Sequence, residues 1–353
     1  MAVIHAEKLI AADYHGLADI EAGRPVDENT IFHWASITKT FTAVAIMQLR
    51  DRGLLELTDP AVRYVPELRE VHNPFGGTER ITLGHLLSHT AGFRARTWPW
   101  GGDETWHPFE PREWTQLVAM MPYSRILFEP GSEYGYSNPA FIFLGRTVEK
   151  IVGDDYKTYI HKNLLEPLGM HASYFNATPW HRQANRSNSY HVIDGRPVAN
   201  GADFNTGITA ANGGLNATMP DMGKWIAFLM DSTAAHQPIH RQVLSPASLE
   251  EMRQPLMPVH GPAVPGLEHE QIGLSLFLYE HQGHRLVGHT GSQMSFSSFI
   301  LYDPDADIGV VGVYNTAYGD ETAPDTGRIS REFRVRAVKE IFSQFWTDEG
   351  AAD

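Results

Sequence analysis

The hydrophobic positions change period several times along the chain. Ile37, Phe41, Val44 and Ala45 recur at helical spacing and predict one apolar stripe on a helix starting near Ser36, with Arg50-Asp51-Arg52-Gly53 as its stop. Ahead of it, residues 2–12 are apolar around the polar turn His5-Ala6-Glu7-Lys8 and predict two short strands. Residues 62–68 suit a short helix or an extended stretch ending near Pro66. Further helices are predicted over 81–92 with Gly92 as stop, 114–121, 140–152, 155–165, Met219–Met230 and 244–252, with a strand at Ser189–Ile193. From Gln271 the period shortens. Residues 272–279, 285–289, 296–302 and 308–314 run or alternate at strand length. Turns are predicted between them at His281-Gln282-Gly283, Gly291-Ser292 and Asp303-Pro304-Asp305, which makes an antiparallel meander, and residues 329–345 form a closing helix.

Strands at both ends and helices between predict an α/β (α+β) fold. Its antiparallel sheet is drawn from both termini and flanked by helices. The 353 residues are read as one unit, with 1–60 plus 268–353 as an α/β subdomain and 61–267 as a helix-rich subdomain. Lys plus Arg total 28 and Asp plus Glu total 42, so the net charge is −14. That balance disfavours nucleic acid and anionic membrane surfaces as partners. With no cysteine, thiolate catalysis, disulfides and cysteine metal sites are excluded. No apolar run reaches membrane-spanning length, and no basic region with an apolar core stands at the start, so a cytoplasmic location without a signal peptide is expected.

Candidate chemistry centres on Ser36-Ile37-Thr38-Lys39. On a helix, residues three apart share a face, so the Ser36 hydroxyl and the Lys39 amine sit side by side. A serine needs a neighbour to remove its proton, and a lysine whose pKa is lowered by burial can do so. The first turn adds free N–H groups and the positive dipole end. Alone, S-x-x-K is more often a helix cap followed by a solvated lysine. Two further segments change that weighting: Tyr136-Ser137-Asn138, and His289-Thr290-Gly291 at the end of a predicted strand. His85 and His89 lie four apart, a metal-ligand spacing, but no glutamate follows His85, so hydrogen bonding is expected of them and no metal. Residues 93–111 are rich in Trp, Gly and Pro, and suit either a surface loop pinned by its own aromatics or a pocket wall in which Trp98 and Trp100 shape acyl-group preference.

In order and spacing these three motifs resemble the serine β-lactamase and penicillin-binding protein superfamily. The Y-x-N middle motif resembles its class C β-lactamase, DD-peptidase and family VIII esterase branch. Similar too are Leu86-Leu87-Ser88-His89-Thr90-Ala91-Gly92, Glu129-Pro130-Gly131, Glu166-Pro167-Leu168-Gly169-Met170 and Gly213-Gly214-Leu215. The resemblance implies Ser36 as acylated nucleophile, Lys39 as its proton acceptor and Tyr136 as the proton-shuttling partner. It implies Asn138 as the amide holding Lys39 and the substrate. His289, Thr290, Gly291 and Ser292 then line the cleft edge, with the N–H groups of Ser36 and Ser292 as oxyanion donors. His289 stands where class C β-lactamases carry lysine, and its imidazolium is expected to pair with a substrate carboxylate below about pH 6.5. The resemblance implies a helix before the first strand, and the sequence begins inside that strand, so the expectation is either a closing helix without that packing partner or a shortened start. The implied function is hydrolysis of a small-molecule ester, amide or β-lactam without a cofactor. The alternative is a non-catalytic binding or scaffold protein retaining the fold. Oligomeric state is left open.

Overall fold

The alternating C-terminal segments become the scaffold of the molecule. The structure is a computed structural model and describes residues 1–95, 111, 113–201, 205–231, 238–260, 267–318 and 326–346. Trp98, Trp100 and most of the aromatic segment around them lie outside the described residues.

At the N-terminus, β1 (Ala2–His5) and β2 (Lys8–Ala12) form a hairpin across Ala6 and Glu7, both at left-handed φ (47° and 61°). Two successive left-handed residues match the strand twist, so this is the tight turn the sequence predicts. The Ser36 region follows as β3 (Ile31–His33), a 3₁₀ turn Ala35–Ile37 and α1 (Thr38–Asp51). Later come α2 (Leu83–Leu87), α3 (Asn138–Val152), β4 (Leu215–Thr218) and α4 (Met219–Met230). The C-terminal strands are β5 (Met257–Pro258), β6 (Glu268–Ile272), β7 (Phe277–His281), β8 (His284–Gln293), β9 (Phe296–Asp303) and β10 (Ile308–Tyr314). The closing helix α5 spans Thr326–Glu340. One eight-stranded antiparallel sheet has the order β5-β6-β7-β8-β9-β10-β1-β2, so the first strands of the chain complete an edge begun by the last.

Both faces of the central strands are buried, and side chains alternate between two cores. Ile300 and Tyr302 join Ala2, Ile4 and Val311 on the α4 face, whereas Phe299 and Leu301 join Val3, Ile308 and Val310 under Ala337, Val338 and Phe342. Gly309 lets α4 lie close: a Cβ there would stand 2.5 Å from Ile226.

Several elements depart from the expected pattern. The run 272–279 is not one strand. Gly273 and Ser275 (φ 66°) turn the chain between β6 and β7, and Gly273 packs so tightly that a Cβ would stand 2.3 Å from the Met252 carbonyl. A buried apolar connection that runs straight into β7 reads as part of one continuous strand. Gly291 and Ser292 are not a turn either; they lie within β8, and the turn is Met294-Ser295, both at positive φ. The helix predicted over 81–92 ends at Leu87, because His89 takes a left-handed φ of 57°. Residues 155–165 form a short α-helix, Tyr156–Ile160, that widens into a π turn over His161–Leu165. Around α1 the expected single stripe proves too narrow. Every residue from Thr38 to Leu49 is buried, and the polar ones are satisfied internally: Thr40 Oγ1 donates to Ile37 O at 2.8 Å and Thr42 Oγ1 to Ala211 O at 2.6 Å. This helix is the centre of the larger core, and its burial on all sides sets the environment of Lys39.

Candidate active site

Tertiary contacts hold the turn carrying Ser36 on two sides. Trp34 N–H donates to Leu215 O at 2.9 Å and its indole N–H to Ala217 O at 2.9 Å, which ties the turn to β4. Ser298 Oγ donates to Trp34 O at 2.9 Å from the large sheet. Ala35 is forced to φ 48° between these anchors, a costly value for a residue with a Cβ. Gly291 completes the close approach: a Cβ there would stand 2.4 Å from both Trp34 O and Ser298 Oγ and 3.2 Å from Ser36 N.

The register of β8 decides which groups face this turn. Phe277 pairs with Gly288, so beyond that residue one edge of β8 has left β7 behind. On the other edge, Gln293 pairs with Phe296 across the two-residue turn, which makes them the hydrogen-bonded closing pair. Ser292 opposite Ser297 is then a non-bonded pair, so the Ser292 N–H points away from β9, toward the Ser36 turn.

Lys39 is fully buried. Its Nζ lies 3.0 Å from Ser36 Oγ and donates to Asn138 Oδ1 at 2.8 Å and to Asn212 O at 2.8 Å. It also stands 4.9 Å from the centre of the Tyr136 ring. No carboxylate figures in these contacts, and burial pushes the Lys39 pKa well below its ordinary value. A neutral amine has two N–H groups and one lone pair. The two amide oxygens take the former, and the Ser36 hydroxyl can donate to the latter. Asn138 reaches Lys39 from the first turn of α3. The cap of that helix is Ser137, whose Oγ accepts from Ala140 N–H, so Asn138 is free of the capping role. The Tyr136 hydroxyl hydrogen-bonds with Ser36, and burial raises its pKa despite that bond.

The cleft in front of Ser36 encloses about 470 Å³. Tyr136, Asn138, His289, Thr290, Gly291 and Ser292 line it together with Ser36, so the structure brings these predicted site residues to one place. Phe277, Arg331 and Arg334 also line it. The two guanidiniums come from α5, which carries no motif a sequence reading could catch. Arg334 donates to the Tyr279 hydroxyl at 3.2 Å.

The expectation for His289 requires correction. The ring is buried, 2% exposed, and burial together with the nearby Lys39 lowers its pKa to about 3. It therefore carries no charge between pH 6 and 8 and cannot be the imidazolium that pairs with a carboxylate. A sequence position shows the residue type but not its burial, and burial decides the charge here.

Other histidines support the site. His89 Nδ1 accepts from Ser137 N–H at 3.0 Å, and its ring stacks on Tyr136 at 4.4 Å, holding the tyrosine in place. His85 Nδ1 accepts from Thr82 N–H at 3.3 Å in a capping box. Their spacing therefore serves hydrogen bonds. His33 was not singled out from sequence. Its two ring nitrogens meet the side-chain amides of Asn216 (3.1 Å) and Gln293 (3.0 Å), joining β3, β4 and the end of β8 beside the Ser36 turn. Burial, with Arg186 nearby, lowers its pKa to about 4, so the ring is neutral near pH 7. The only sequence signal for this clamp was a histidine three residues before Ser36.

Comparison with known proteins agrees with this geometry. The sequence matches the Beta-lactamase family over residues 1–333. Protein flp of Staphylococcus aureus (strain COL) is 24% identical over 301 residues, 85% of this chain and 56% of flp, so the chain spans about half the length of that relative. Esterase EstB of Burkholderia gladioli is 35% identical over 165 residues, 44% of this chain and 41% of the esterase. The structure of the octameric penicillin-binding protein homologue from Pyrococcus abyssi superposes with a TM-score of 0.77 at 28% identity, covering 96% of this chain and 72% of that one. By its family match, its fold and the arrangement of its motifs, the chain belongs to the Beta-lactamase family.

Proposed function

We propose that the protein is a serine hydrolase that cleaves an ester or amide through an acyl-Ser36 intermediate. The observation that carries this is the Lys39 amine, buried without a carboxylate and 3.0 Å from the Ser36 hydroxyl. Its lone pair takes the Ser36 proton as Oγ bonds to the substrate carbonyl carbon. The carbonyl π electrons move onto oxygen, and the N–H groups of Ser36 and Ser292 stabilise the oxyanion. Collapse breaks the bond to the leaving group, which receives the proton from the Lys39 ammonium through Tyr136. Water then attacks the acyl carbon by the same route in reverse and frees Ser36. Tyr136 acts as a protonated relay in this scheme, since its burial disfavours the phenolate.

The substrate is read as a small ester or amide, and the name of the EstB relative favours an ester. The test is intact-mass analysis after a fluorophosphonate, with parallel rates on a short-chain nitrophenyl ester, a chromogenic cephalosporin and a D-Ala-D-Ala peptide. One adduct on Ser36 is expected, with ester turnover in Ser36→Ala reduced by several orders of magnitude. An unlabelled Ser36, or full activity in the alanine variant, overturns the reading and leaves the non-catalytic scaffold.

A further inference from the structure

His33 and Gln293 form a bracket beside the Ser36 turn. His33 closes β3 directly opposite Asn216 of β4, and its buried ring bonds across that pair at 3.1 Å. The other ring nitrogen lies 3.0 Å from Oε1 of Gln293, the last residue of β8. A neutral imidazole donates at one nitrogen and accepts at the other, so one ring can tie two side-chain amides together. Gln293 also presses on a third segment. A Cβ at Gly213 would stand 2.8 Å from Gln293 Oε1, and the residue before Gly213 is Asn212, whose carbonyl accepts from Lys39.

The end of β8 needs such a tie. Among the described residues only β9 pairs with residues 289–293, since β7 stops at Gly288. The chain then turns through Met294 and Ser295, both at left-handed φ (49° and 61°). Ser189 Oγ donates to Met294 O at 2.6 Å and Asn200 Nδ2 to Ser295 Oγ at 2.9 Å, but these bonds anchor the turn to other loops and not to Ser36. Toward the Ser36 turn, β8 is held at Gly291, by close packing and by the Ser298 bond to Trp34. The bracket adds a second point at Gln293. Ser292 lies between the two, and two fixed points set a direction. We infer that His33 and Gln293 are positioning residues for the proposed oxyanion site, aiming the Ser292 N–H at the Ser36 turn without touching substrate. Among the described residues neither lines the cleft. The inference rests on the serine-hydrolase reading for the reaction it assists.

The test compares a short-chain nitrophenyl ester with its thionoester in wild type, Gln293→Met and His33→Phe. Sulfur is a poor hydrogen-bond acceptor, so thionoester turnover gains little from oxyanion donors. Gln293→Met keeps the side-chain length and removes the amide. Its kcat on the ester is expected to fall about ten- to a hundredfold, the scale of a donor misplaced by about 1 Å. KM should stay within about threefold and the thionoester rate within about twofold, because only a transition-state contact is lost. His33→Phe should behave alike, and the double variant should be little worse than either, since both break one bracket. His33→Gln, which keeps a donor and an acceptor, should recover part of the loss. Should His33→Phe not fold, Gln293→Met, at a half-buried position, still carries every comparison. An unchanged ester kcat in Gln293→Met, or a loss shared equally by ester and thionoester, overturns the inference. A second measurement does not depend on turnover. Amide hydrogen exchange over residues 289–295 should quicken at least about tenfold in Gln293→Met while α1 stays protected. Unchanged exchange there overturns the inference. If Ser36 takes no covalent label, the hydrolase reading fails separately, and the exchange rates still decide whether the bracket holds the end of β8.

Discussion

At the scale of single residues, the site depends on a lysine kept out of water. An amine that is charged in the unfolded chain and neutral when folded gives up a proton on folding, so the unfolded state binds more protons. The cost of burying the amine is fully present below its lowered folded pKa, falls as pH rises through the window between that value and the ordinary lysine value near 10.4, and is gone above it. Lys39→Met removes the titration. The stability difference between wild type and Lys39→Met should therefore shift in favour of wild type as pH rises from 7 to 9, with a limiting slope of about 1.4 kcal/mol per pH unit. Denaturant titrations of both proteins at three pH values measure it. A pH-independent difference would mean that Lys39 stays charged in the fold and is not the base.

At the scale of elements, the candidate site is a contact between a strand and a helix start. The 3₁₀ turn before α1 meets β8 at Gly291, where a methyl group would stand 2.4 Å from backbone and side-chain oxygens alike. Gly291→Ala should push β8 away from Ser36 and separate the two proposed oxyanion N–H groups. A kcat loss of about 10²–10³ follows from losing one such donor, with about 1–3 kcal/mol of destabilisation from overpacking. Steady-state kinetics read beside a thermal melt separate the two effects, and a variant that melts early yet keeps its kcat would show that the contact is structural only. Much at this scale could be read from the chain: α4 spans the predicted Met219–Met230, and β9 and β10 fall where alternation placed them. The errors share one cause. Residues 272–279 and Gly291-Ser292 are set by contacts that their own residue types do not show: packing against the Met252 carbonyl bends the first, and pairing with β9 keeps the second extended.

At the scale of the whole molecule, one sheet joins the chain ends. β1 pairs with β10 although they lie some three hundred residues apart, Ala2 opposite Val311. Ile4 is fully buried in the same core as α1 and α4, so the N-terminal hairpin and the helix that carries Lys39 share packing. Ile4→Ala should cost about 2–5 kcal/mol. The loss should appear in one transition, with tryptophan fluorescence and far-ultraviolet circular dichroism moving together. Two separated transitions would show that the hairpin edge unfolds on its own. Among the described residues no helix is long and apolar enough to cross a membrane.

Neighbours along the chain are enough to specify the motif set and the local elements that carry it. Ser36, Lys39, Tyr136 and Asn138 were legible because helical spacing and motif order are properties of neighbours along the chain. Tertiary structure alone decided the electrostatic state of those groups. Burial among segments that contribute no carboxylate pushes the Lys39 pKa well down, and one of its partners is the backbone oxygen of Asn212, which no side-chain pattern can reveal. His289 was expected to be a cation, but burial beside Phe277, Tyr136 and the Lys39 amine, none of them adjacent in sequence, lowers its pKa to about 3. Protonation follows local solvation and field. Both are sums over atoms that only the folded chain brings together.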